Sequence, residues 1–207
     1  MADILADVAG YYSDRLAEHG PTPRGVDWNG EAGQRLRFEQ LVRIIDRPKD
    51  FSVIDLGCGY GALLDYMRGC FKNFSYTGYD VSSEMVEAAR SSREPDANVR
   101  FVWGDKPSQP ADYCIASGIF NVKLGWPQAE WRGYIGRTLD ILHQGSLRGF
   151  AFNCLTTYSD ADKLRDHLYY ASPCELFDVC KRRYSRHVAL LHDYGLYEFT
   201  ILVRKAI

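Results

Sequence analysis

The sequence predicts an α/β fold: a doubly wound, seven-stranded and mostly parallel sheet with an antiparallel C-terminal hairpin, preceded by an N-terminal helical lid. Three observations predict it. Short apolar runs alternate with helix-period segments from residue 51 onward, the pattern of a sheet wound with crossover helices. A glycine-rich loop joins the first of those runs to the helix after it. Two further apolar runs flank Asp193-Tyr194-Gly195-Leu196, which reads as a hairpin turn and makes one strand antiparallel.

Each element has its own signal. Ile4, Leu5, Val8, Tyr11, Tyr12 and Leu16 recur at the spacing of an amphipathic helix over 4–18. His19-Gly20-Pro21-Thr22-Pro23 ends it, and 24–33 reads as a loop carrying Trp28. A second helix is expected over 31–46, with Leu36, Leu41, Ile44 and Ile45 inward, until Arg47-Pro48 stops it. Strands are then expected at 51–56, 74–79, 99–103, 112–116, 147–153, 186–192 and 197–204. Helices are expected at 62–68, 82–91, 128–143 and 173–183, the last opening on Pro173, where a missing N–H costs nothing. The expectation is one domain over 1–207, with 1–47 as extension or lid and 48–207 as the ligand-binding core.

Composition narrows the function classes. The chain has 207 residues, 46% of them hydrophobic, enough for a core without a disulfide or metal staple. Its net charge of −2 gives no basic footprint for nucleic acid. No apolar stretch approaches the length of a membrane span, and Asp3 and Asp7 replace the basic start of a signal peptide. The six cysteines form no CxxC pair, so no metal site is expected. A reduced, cytoplasmic protein is the simplest reading.

The strongest motif is Val53-Ile54-Asp55-Leu56-Gly57-Cys58-Gly59-Tyr60-Gly61. Glycines allow a sharp turn and close approach to a ligand. Gly78-Tyr79-Asp80 ends the next strand, where a carboxylate can accept both hydroxyls of a ribose. A dinucleotide, a structural turn and S-adenosyl-L-methionine all suit such a loop. Asp55 before the glycines would repel a pyrophosphate and favours a cation. S-adenosylmethionine carries an ammonium, a sulfonium and no phosphate.

With Asp55-Leu56-Gly57-Cys58-Gly59-Tyr60-Gly61, Tyr79-Asp80-Val81-Ser82 and Phe101-Val102-Trp103-Gly104-Asp105, the chain resembles the class I S-adenosylmethionine-dependent methyltransferases, a Rossmann-like family. The resemblance covers most of 31–207. It extends to a group of small bacterial methyltransferases through Gly25-Val26-Asp27-Trp28 and Leu191-His192-Asp193-Tyr194. It implies that Gly57, Gly59 and Gly61 line the methionine part, that Asp80 holds the ribose, that Asp105 sits near the adenine amino group and Val81 packs on its ring, with Asp55, Cys58 and Gly104 counted among the cofactor-binding residues. Ser117 and Gly118 would floor the active site.

Other candidates are read from the residues. His192 at the hairpin turn suits a general base, with Asp193 to orient it. Asn121 follows the fourth strand, where an amide can fix a polar nucleophile. Asp27 and Trp28 lie in the extension, as part of a lid that excludes water. Gln34 and Arg37 sit one turn apart, and Arg37 is a candidate partner for the cofactor's carboxylate. The expected substrate is a small polar metabolite methylated on nitrogen or oxygen. Asp27, Asp162, Asp166 and Asp193 tilt the expectation toward an amine or guanidine. A macromolecular (tRNA or protein) methyltransferase and a non-catalytic cofactor-binding module are the rival readings.

Overall fold

The apolar runs that open the alternating region become β1 (Phe51–Leu56) and, further on, β4 (Ala111–Ala116), neighbouring strands in the middle of the sheet. Both are buried along nearly their whole length, because helices cover both faces of a parallel sheet. The computed structural model describes residues 2–205. Around that pair stand β2 (Phe74–Asp80), β3 (Val99–Trp103), β5 (Ser146–Thr156), β7 (His187–Leu191) and β8 (Glu198–Arg204), in the order β3-β2-β1-β4-β5-β8-β7. β8 runs antiparallel to both neighbours, as the hairpin requires. The seven expected strands are all present. An eighth, β6 (Tyr170–Ala171), pairs with the end of β5 in a segment where no strand is expected.

Period-two alternation along β1 divides the interior. Ile54 and Leu56 face one core, shared with α1 (Ala2–His19), α5 (Gln128–Gly145) and Cys180 of α6 (Pro173–Arg183). Phe51 and Val53 face the other, shared with α2 (Glu31–Leu41), α3 (Ala62–Cys70) and α4 (Ser83–Ser91). Ser82 and Ser172 cap α4 and α6 through their hydroxyls, and Pro173 opens α6 as its position suggests.

The second helix differs from expectation. α2 ends at Leu41 and passes into a 3-10 turn, Val42–Ile44. Its buried stripe is Gln34, Phe38, Leu41 and Val42, at i, i+4, i+7 and i+8, while Leu36 and Ile45 are only half-buried. Gln34 is a polar residue on the buried side, which hides the stripe from a count of apolar positions. The loop of 24–33 also contains a 3-10 turn, Pro23–Val26, ending at Asp27 in a left-handed conformation. Among the described residues no helix is long and apolar enough to cross a membrane.

Candidate active site

The C-terminal ends of β1, β2 and β4 open on one edge of the sheet, where the crevice of a doubly wound fold receives its ligand. Gly57, Gly59 and Gly61 carry β1 into α3 with φ of 76°, 52° and 86°. The loop is tied to β2: Gly57 and Cys58 donate to the Tyr79 carbonyl at 2.8 and 3.0 Å. A methyl group on Gly57 would come within 2.2 Å of the Ile119 side chain, so this position needs both the freedom and the smallness of glycine.

Above the loop lies a cleft with about 800 Å³ of empty space, part of it open to solvent. Gly57, Gly59, Asp80, Val81, Gly104, Asp105, Ser117 and Gly118 line it, with Val8 and Tyr12 of α1 and Trp28 above. Eight of the residues expected at a cofactor therefore meet in one place, joined by Trp28. Asp80 is buried and accepts from the backbone N–H of Gly59 at 2.7 Å and of Ser82 at 2.9 Å. Burial pushes its pKa up, while those N–H groups pull it down.

The other expected cofactor residues lie off the cleft. Asp55 is beneath the loop, one oxygen accepting from the Tyr76 hydroxyl at 2.6 Å and the other without a partner. Burial raises its pKa to about 7. Cys58 turns its thiol toward Gly78, where any side chain would collide with it, and burial pushes that thiol up. Gly61 is the left-handed cap of α3 and faces Phe101. Gln34 accepts from the Tyr60 hydroxyl at 3.2 Å.

A second cavity, about 1070 Å³ with its open part, adjoins the first and shares Tyr12, Val26, Trp28 and Gly118 with it. Asp27 and Asn121 face it. Asp27 accepts from Tyr11 at 2.8 Å and Arg15 at 2.9 Å, so it is a braced carboxylate rather than a free base. Asn121 is buried and its Oδ1 accepts from the Leu155 N–H at 3.1 Å.

Two expectations need correction. Arg37 does not wait for a cofactor carboxylate: its guanidinium grips Glu198, with Nε at 2.8 and 2.9 Å from the two carboxylate oxygens, and lies 3.8 Å from the centre of the Trp28 ring. His192 and Asp193 line neither cavity. The His192 ring packs beside Tyr158 and Phe199, and it makes no ion pair with Asp193 among the described residues. The cause is strand order: β7, which leads to His192, is the sheet edge, while Leu196, Tyr197 and Glu198 on the returning arm reach the cavity.

Sequence reasoning missed Glu198 and Asn153. Asn153 donates to Glu198 at 2.7 Å and accepts from the Gly118 N–H at 2.8 Å. Its signal is present in the sequence: an amide inside the apolar run of β5, fully buried and thus in need of partners.

Ser117 in the cleft wall, whose buried hydroxyl oxygen has no hydrogen-bond partner among the described residues, and the Asp80 carboxyl lining the same cleft fit a ligand that brings hydroxyl and ammonium donors. Among the described residues no His, Cys, Asp and Glu gather to hold a metal.

Comparison with known proteins identifies the family. Residues 53–145 match the family described as a methyltransferase domain. The Mycobacterium tuberculosis protein Rv1506c, named as a methyltransferase, is 60% identical over 165 residues, which is 80% of this chain and 99% of that protein. A trans-aconitate 2-methyltransferase of Streptomyces coelicolor is 27% identical over 72% of this chain and 54% of its own length. The structure of DhpI in complex with SAH superposes with a TM-score of 0.64 at 16% identity, covering 98% of this chain and 97% of that one. The chain belongs to the class I S-adenosylmethionine-dependent methyltransferases.

Proposed function

We propose that the chain methylates a nitrogen or oxygen of a small polar metabolite seated in the second cavity. The observation that carries this reading is the shared wall: the two cavities meet at Tyr12, Trp28 and Gly118. S-adenosylmethionine, held over Gly57 and Gly59 with Asp80 at its hydroxyls, would supply an electrophilic methyl group on a sulfonium whose leaving group is a neutral thioether. The protein's part is to hold two molecules in register and keep water out.

Gly57 and Gly59 let the backbone approach the cofactor, and Asp80 is placed to accept its hydroxyls. Ser117, in the cleft wall, offers an acceptor that no group among the described residues uses. Tyr12 stands where the cavities meet, and burial keeps its phenol protonated, hence a donor. Asn121 faces the acceptor's cavity with its oxygen already taken, which leaves the amide donor to orient a nucleophile. The likeness to the trans-aconitate enzyme supports a small polar acceptor. One domain carrying both cavities, in a reducing cytoplasm, suits the six unpaired cysteines.

Calorimetric titration with S-adenosylhomocysteine tests the reading, with NAD as control. Wild type is expected to bind S-adenosylhomocysteine and ignore NAD. Asp80→Ala is expected to weaken that binding by at least about tenfold, the scale of a lost pair of buried polar bonds. Binding of NAD instead, or equal affinity in the variant, overturns it.

A further inference from the structure

Resting on that reading, we propose that the metabolite carries an anionic group, a carboxylate or a phosphate-type oxyanion, and that Arg165 receives it. The argument is an account of which charges in the second cavity are already spent.

Two carboxylates line the cavity, Asp27 and Glu198. Both oxygens of Asp27 are taken, one by Arg15 and one by Tyr11. Glu198 is 1% exposed and receives Arg37 on both oxygens and Asn153 on one. Asp162 is ion-paired with Lys163 at 2.8 Å, and neither Asp166 nor Asp193 lines the cavity. An ammonium or guanidinium entering here finds no free countercharge, and leaving its charge unpaired is costly.

The cations balance differently. Arg37 is spent on Glu198, and Lys163 on Asp162. Arg165 has no carboxylate within 4 Å among the described residues. One of its terminal nitrogens donates to the backbone carbonyls of Asp162 at 2.9 Å and Leu164 at 2.7 Å. Those bonds aim the guanidinium without neutralising it. A guanidinium fork is the group that best matches a carboxylate or phosphate in two parallel bonds.

The segment that presents Arg165 is anchored. The Arg165 N–H donates to the Tyr170 hydroxyl at 3.0 Å, and that hydroxyl donates to the Lys163 carbonyl at 3.2 Å. The backbone N–H groups of Lys123 and Leu124 donate to the His167 carbonyl at 3.0 and 2.9 Å, fastening the segment to the loop that carries Gly118 and Asn121. The cavity's remaining polar groups, the Asn121 amide donor, the Tyr12 phenol and Asn29, are neutral, and the uncompensated charge at its wall is the Arg165 guanidinium.

The test uses the full chain saturated with S-adenosylhomocysteine. Succinate, citrate and phosphonoacetate are titrated calorimetrically at fixed ionic strength, with succinamide as neutral and putrescine as cationic counterparts. At least one anion is expected to bind where succinamide and putrescine do not; the one that binds separates carboxylate from phosphonate recognition. Arg165→Ala should weaken it by about tenfold or more, Arg165→Lys should fall between, and Arg182→Ala, at an exposed position that lines neither cavity, should leave it unchanged. Unchanged S-adenosylhomocysteine affinity in Arg165→Ala shows that the variant is folded. Silence of all three anions up to about 10 mM, equal binding of succinamide or putrescine, or indifference to Arg165→Ala overturns the proposal. If S-adenosylhomocysteine itself does not bind, the methyltransferase reading fails first and takes this one with it; if it binds and the anions do not, this one fails alone.

Discussion

At Asp55 a carboxyl group is sealed beneath the glycine loop with a hydroxyl on one oxygen and nothing on the other. Its folded pKa of about 7 lies above the value near 4 expected in the unfolded chain. Between those values the folded state holds the proton and the unfolded state releases it, so stability falls as pH rises through that window. Asp55→Asn carries no such proton. Its midpoint of denaturation should decline less than wild type between about pH 4 and pH 7, and parallel profiles for the two proteins would show that Asp55 ionises freely in the fold. The sequence marks Asp55 as an acid suited to a cation, because it precedes three glycines. That Tyr76, 21 residues on, supplies its hydrogen bond depends on the parallel pairing of β1 with β2.

Between elements, the loop after α1, the helix α2 and strands β5 and β8 close a ring of contacts: Trp28 on Arg37, Arg37 on Glu198, Glu198 on Asn153, and Asn153 on the Gly118 N–H. Trp28 completes it by packing over Gly118, where a methyl group would lie 2.4 Å from the indole. The Arg37 side chain is 11% exposed and that of Glu198 1%, so the pair has little water to fall back on. Removing one partner of such a pair costs about 3–5 kcal/mol. Glu198→Gln should therefore lower Tm by roughly 6–20 °C in a chain of this size. A drop of under about 1 kcal/mol would mean that Arg37 escapes to solvent. Periodicity makes the helices and strands legible to within a few residues, since each is a local pattern. The Arg37–Glu198 pair spans 161 residues, and nothing local encodes it. The misplacement of His192 has the same root: the hairpin turn is legible, but not which arm the sheet takes inside.

Over the whole molecule, the cysteines give a direct check on what is core. Cys58, Cys114, Cys154 and Cys180 are buried and their thiols are held protonated by burial, whereas Cys70 and Cys174 are exposed. A thiol-alkylating reagent should label those two in the native protein and all six after denaturation, read by intact mass. Labelling of Cys58 without unfolding would show that the glycine loop opens. At this scale the alternation of apolar runs and helices conveys a doubly wound sheet, because alternation is itself the topology written along the chain. The walls of the second cavity were less legible, since they come from two helices and four separated stretches of chain that meet only after the sheet is built.

β8 enters the sheet between β5 and β7, although it is the last strand along the described chain. Translation therefore delivers the roof of the cofactor cleft with α1 and the brace beneath its floor with Glu198, nearly two hundred residues apart. A nascent chain halted before β8 presents β5 as a bare edge, the kind of surface that invites pairing with other strands. In that interval Asn153 has no Glu198 to hold it, and Arg37 carries an unanswered charge. The site is therefore incomplete until residues 198–204 have paired with β5 and brought β7 in beside them.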